Sequence, residues 1–339
     1  MAALRISLRL AGGGLLLLLV VALWLGMTPL PQPLATTSRP EWIGPVHVVD
    51  VVAGTVMRAQ ALRIEDGRIT ARVPADTLPP AQRAAMLDMD GAYVLPGLWD
   101  MHALLIRYAP ALDHPLHLAH GVTRIRNILN CAVDGTLDLY PCQGEKRAWN
   151  AAVADGSMHG PIIMESGSFP INGPEWRVPG QPAVFDAATP ERAAEMVRLV
   201  AADPNRPDHL KTYDFIPRDS YFALVAEGLA HGIRTNGHVP AGVRVAEAVA
   251  AGHQAIAHAR VLPIGCSSAE DQIMAMRIAR VPRHEWMALA LDAFDPERCA
   301  ALWTQLKDAG TFISRPWSPA GTRRRRGSPR CWPIRTCRG

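Results

Sequence analysis

The stretch Val94-Leu95-Pro96-Gly97-Leu98-Trp99-Asp100-Met101-His102 constrains this chain more than any other. It is an apolar strand that closes on an acid and an imidazole. After His102, strand-like runs alternate with helical ones, as expected of a parallel α/β barrel. Strands are predicted at 93–102, 121–129, 160–167, 209–214, 233–239, 254–259 and 311–315. Helices are predicted between them, for example Pro190 to Ala202, Ser220 to His231 and Val243 to Ala251. That makes seven strands, where a closed barrel of this type has eight. Upstream, Val46 to Val52 reads as a strand, and Ala61–Ile64 and Arg68–Ala71 as a hairpin about Asp66-Gly67.

Strand ends in a parallel barrel face one mouth, and four residues that can bind a metal fall there: His102, Lys211, His238 and His258. Neutral imidazole suits zinc and similar metals. A lone strand histidine is usually a hydrogen-bonded core or surface residue. Two at successive strand ends, in register with a third and with a lysine, favour the metal reading. Lys211 is telling because only three of the 35 basic residues are lysine: Lys146, Lys211 and Lys307. A desolvated lysine can lose its proton and take up CO2 as a carbamate that bridges cations, which arginine cannot do. The competing reading is a lysine whose head snorkels to the barrel mouth. His114, His117 and His120 recur every third residue and read as the solvated face of a helix. His253 reads as a turn cap just ahead of a strand.

The motif "PGLWDMH" resembles the first barrel strand of the metal-dependent amidohydrolase superfamily, usually "PGL-(I/W)-D-x-H-x-H". "HLKTYD" (209–214) resembles the strand bearing the bridging carboxylated lysine. Gly237-His238-Val239-Pro240 with Ala257-His258-Ala259 resembles the prolidase-like, imidazolonepropionase-related branch. The resemblance covers roughly residues 45–314. It implies a (β/α)8 barrel, here incomplete, behind a small N-terminal β-sandwich. It also implies one or two divalent metals, zinc for preference, and hydrolysis of a carbon–nitrogen bond in an amide or dipeptide-like small molecule. Two departures matter. Leu104 stands where the motif has its second histidine, and no eighth strand supplies the metal-binding, proton-shuttling aspartate. No catalytic residue is therefore identified, and impaired turnover is expected. The alternatives are a catalytically inactive, envelope-anchored binding protein, or a non-functional gene fragment.

Arg5 and Arg9 precede an apolar run from Leu10 to Met27, the pattern of a signal anchor or signal peptide over residues 1–27. The Pro-rich stretch 28–42 reads as a linker, 43–92 as the small β domain and 93–315 as the barrel. The main domain is thus expected outside the cytoplasm, in the cell envelope or secreted, with residues 10–27 in the membrane. Six cysteines then become candidates for disulfides, Cys131 with Cys142 first and Cys266 with Cys299 second. Residues 316–339 have the Arg-Pro-Cys-Trp texture of a GC-rich gene read out of frame, and a frameshifted or truncated end is expected. Eight arginines from Arg315 onward outweigh the whole net charge of +4, leaving −4 for the rest. The basic balance is therefore no nucleic-acid footprint, and no nucleic-acid partner is expected.

Overall fold

The computed structural model describes residues 14–17, 19–20, 41–131, 139–174 and 185–314. The basic tail, linker residues 28–40 and most of the 10–27 run lie outside the described residues. Among the described residues no helix is long and apolar enough to cross a membrane. The chain forms two compact units. One comprises Met1–Trp99, Arg107–Arg124 and Arg147–Ile162; the other comprises Asp100–Ile106, Ile125–Lys146 and Ile163–Gly339.

The first unit contains a five-stranded sheet. Strands β1 (Trp42–Asp50), β2 (Thr55–Glu65) and β3 (Arg68–Pro74) form an antiparallel meander, and the short β4 (Leu87–Asp88) and β5 (Tyr93–Val94) pair with β1 in parallel. Asp66 and Gly67, at φ +48° and +73°, make the two-residue turn expected between β2 and β3. Helix α1 (Pro80–Ala85) follows. Trp42, Ala61, Ala75 and Leu78 form the core against one face of the sheet. This corrects the expectation of a sandwich. Among the described residues β4 and β5 are two residues each, too short to build a second layer, and the sheet stands alone.

Helix α2 (Asp113–Ala119) corrects the reading of the three spaced histidines. His120 is exposed and His117 half-buried, but His114 is fully buried. Its ring meets the edge of Trp149 at 5.5 Å, on helix α3 (Gln143–Asp155), and lies so close to Gly160 that a Cβ there would fall 2.7 Å from Nδ1. Burial pushes the His114 pKa down to about 4, so the ring is neutral.

Each predicted barrel strand has a counterpart, though the run 93–102 is split, Tyr93–Val94 pairing with β1 and the barrel strand starting at Leu98: β6 (Leu98–Ala103), β7 (Val122–Asn127), β8 (Ile162–Ile171), β9 (His209–Thr212), β10 (Arg234–Gly237), β11 (His253–Ala257) and β12 (Phe312–Ser314). They lie in sequence order in one sheet, parallel from β8 through β12, and the sheet is a nearly closed barrel. Its first and last strands approach at the mouth, where Ser314 Oγ is 3.5 Å from His102 Nδ1. The crossover helices include α4 (Pro190–Ala202), α5 (Arg218–Ala230) and α6 (Val245–Ala250). Helix α4 starts where its sequence directs: Thr189 accepts a hydrogen bond from Arg192 N, and Pro190 occupies the first turn. Met196, Val197 and Val200 of α4 and Leu224 and Val225 of α5 pack with Leu210 of β9 and Ile256 of β11 in the main core.

Between β11 and β12 the chain makes four more helices: α7 (Leu262–Gly265), α8 (Glu270–Ile278), α9 (Arg283–Asp292) and α10 (Pro296–Asp308). Cys266 and Cys299 are bonded across this segment, and Cys131 and Cys142 are bonded after β7, as both pairings were expected. His253 is a correction. It does not cap a turn but is wholly buried in β11, accepting from Tyr221 Oη at Nδ1 (2.9 Å) and donating from Nε2 to Ala255 O (3.0 Å).

Candidate functional site

Three imidazoles gather at the carboxyl ends of β6, β10 and β11. The rings of His102 and His258 are 4.7 Å apart by centroid, and those of His238 and His258 are 4.9 Å apart. Each is set by local backbone. The His102 amide donates to Asp100 Oδ1 (2.8 Å), so the acid of the "D-x-H" motif braces the strand end. His238 follows Gly237, which holds φ +126°. A Cβ on Gly237 would lie 2.5 Å from Thr212 O, so only glycine lets the strands close this tightly. His258 itself sits at φ +69°, sparsely populated for a non-glycine residue, and its amide donates to Ser314 O (2.8 Å). Such outliers persist where the surroundings over-determine them, commonly at functional sites.

Lys211, on β9, is 1% exposed, and its Nζ has no hydrogen-bond partner. Burial, and after it the charge of Arg126, bring its pKa down to about 7, within reach of the neutral amine. Burial and the nearby Lys211 charge lower His102 to about 3, and burial lowers His258 to about 4. Burial also lowers His238, outweighing its bond to an acid. All three rings are neutral at pH 7, the form that binds metal.

The sequence reading missed the group that organises His238. Asp214, three residues after Lys211, accepts from His238 Nδ1 (2.8 Å), from Arg260 NH2 (2.7 Å) and from Arg277 NH2 (3.3 Å). Burial alone would raise its pKa, but the His238 bond and the two guanidinium groups hold it well below the usual carboxylate range. An ionised Asp214 fixes the proton of His238 on Nδ1 and leaves Nε2 as the lone pair. Tyr213 was missed too. Its ring lies 4.6 Å from that of His238 and 5.3 Å from Lys211 Nζ.

The donor set fits one divalent cation in kind: neutral imidazoles, one oriented by a carboxylate, and a buried amine with no other acceptor. It is not a ready-made cage, for among the described residues no group of three or more His, Cys, Asp or Glu side chains is arranged to hold a metal ion. Leu104 is 52% exposed and contributes no donor.

No family model matches the sequence, and no curated protein does either. Solved structures do match. The likeness is one of fold. The chain superposes on a Bifidobacterium longum protein provisionally assigned as a prolidase with a TM-score of 0.51 and 19% identity, over 80% of this chain and 72% of that one. Below a TM-score of 0.5 lie a bottromycin amidohydrolase (0.49, 18% identity, 85% of this chain and 72% of that) and a Xaa-Pro dipeptidase with methionine bound in its active site (0.47, 15%, 80% and 78%).

Proposed function

We propose that this chain is a metal-dependent hydrolase of carbon–nitrogen bonds acting on amides or dipeptide-like molecules. The observation that carries the reading is the meeting of His102, His238 and His258 beside a buried Lys211 amine that has no partner. These four residues would hold the cation. The chemistry it supplies is Lewis acidity, which polarises an amide carbonyl and acidifies water.

The chain's own groups supply the rest. Asp214 orients His238 and, kept ionised by two arginines, serves as an anchor and is a poor proton acceptor. Lys211, near neutrality at pH 7, donates its lone pair or captures CO2 as a carbamate. Leu104 argues for a single cation, since an alkyl side chain stands where the motif places a ligand. The same residue favours a second reading in which the site binds its ligand without turnover. The run Arg5–Met27 and the two disulfides support a location outside the cytoplasm.

Elemental analysis of the purified full chain, paired with a panel of Xaa-Pro and other dipeptides assayed for released amine, tests the reading. About one zinc-like ion per chain with hydrolysis abolished by chelation is expected. Metal retained without hydrolysis of any substrate selects the binding reading, and protein that takes up no divalent ion overturns both.

A further inference from the structure

Ser314 ends β12 and touches both His102 and His258. Strands β6 and β12 stand at the two ends of the sheet order, and at the mouth a side-chain contact joins them: Ser314 Oγ lies 3.5 Å from His102 Nδ1. Ser314 is buried and sits beside Ala257 in the β11–β12 register. Its carbonyl accepts from the His258 amide (2.8 Å), at the residue held at φ +69°.

The other candidate ligands are also braced through their main chains. The Lys211 amide donates to Ser168 Oγ (2.8 Å), Thr212 Oγ1 donates to His238 O (2.8 Å), and the His102 amide donates to Asp100 Oδ1 (2.8 Å). Such bonds place a strand end but leave the tautomer of a ring open. Asp214 engages the ring of His238 and Ser314 engages that of His102, both at Nδ1. A neutral imidazole has one N–H and one lone pair, and the partner of one nitrogen decides what the other carries. If Nδ1–H donates to Ser314 Oγ, the lone pair of His102 lies on Nε2, as in His238. If the hydroxyl donates instead, Nε2 carries the proton and cannot bind a cation. We propose that Ser314 is a positioning residue: its Oγ accepts the Nδ1 proton of His102 and leaves the Nε2 lone pair for the cation, while its carbonyl anchors His258. The inference rests on the proposed metal site and assigns the group that orients His102 there. At 3.5 Å the bond is long, and its acceptor is a neutral hydroxyl, so its effect is expected to be smaller than that of the Asp214 carboxylate.

Two-bond proton–nitrogen NMR spectra of the full chain, labelled at histidine and treated with a chelator, read the tautomer without any metal. The His102 signals are identified by their loss in His102→Gln. His102 should carry its proton on Nδ1. Ser314→Ala should move that proton to Nε2 or to an exchanging mixture, and should weaken zinc binding about three- to tenfold in competition with a chromogenic chelator. Ser314→Thr keeps the hydroxyl and should restore both. Ile313→Val loosens the packing of the same strand against the main core, so it should lower the melting temperature and leave the tautomer alone. A parent His102 protonated on Nε2 overturns the proposal, and so does a Ser314→Ala chain that keeps the parent tautomer. A shifted tautomer with unchanged zinc affinity also overturns it, since the ring would then be oriented for no cation. A tautomer that depends on Ser314 in a chain that binds no zinc keeps the Ser314 bond and overturns the metal reading instead.

Discussion

Asp214 shows how much one carboxylate can organise. It joins His238, Arg260 and Arg277 in one cluster, so its replacement should be felt at the imidazole cluster and not in the fold core. Asp214→Asn should weaken divalent-metal affinity about 10- to 100-fold, read by competition with a chromogenic chelator. Unchanged affinity would remove His238 from the ligand set. Leu104→His should raise metal occupancy toward two ions per chain, and unchanged occupancy would show that a second ion needs more than this imidazole. His253 offers a test by pH. Burial lowers its pKa from 6.5 to about 4, so the unfolded chain binds the proton more readily. Its contribution to stability is full above pH 6.5 and is lost as the pH falls toward 4. Thermal midpoints from pH 8 to 5 should fall less steeply for His253→Gln than for the parent chain, and identical slopes would refute the linkage. The three clustered histidines were legible in the sequence because they close predicted strands. Asp214 was in view in the same motif but without a role, since its arginine partners lie 46 and 63 residues away. His114 misled because spacing along one helix does not reveal that Trp149 covers it.

At the scale of elements, the seven barrel strands were readable from local pattern, since a short apolar run between helices has few other places to go in this fold. The four helices between β11 and β12 were not read. Yet they carry Arg277, one of the two arginines that hold Asp214, so that pairing escaped the sequence. The same segment holds the longer disulfide loop. Chain-entropy arguments give about 4 kcal/mol for the 33-residue separation of Cys266 and Cys299 and about 3 kcal/mol for the 11-residue separation of Cys131 and Cys142. Denaturant titrations of Cys266→Ala with Cys299→Ala should therefore show the larger loss. The reverse order would mean that the segment around Cys142 is the weaker point of the second unit. The paired loss of Cys131 and Cys142 should soften the surroundings of Lys146, whose Nζ donates to Leu129 O (2.8 Å) and Asn130 Oδ1 (3.0 Å) close to that loop.

Taken as a whole, the molecule keeps two of its three lysines in its interior. Of three lysines, Lys146 and Lys211 are each 1% exposed, and only Lys307 on α10 meets solvent. Ordinary proteins show the opposite habit, with lysine almost never fully buried. An acylating reagent such as an activated ester consequently becomes a clock for opening of the chain. In intact protein, peptide mass spectrometry should find side-chain acylation at Lys307 within minutes. Lys146 and Lys211 should be acylated only as fast as the barrel breathes, and a bound cation should slow Lys211 further while leaving Lys146 unaffected. Prompt labelling of all three would mean that the two buried amines are within reach of solvent. The scarcity of lysine thus turns a crude chemical label into a two-channel readout, one for the fold and one for the site.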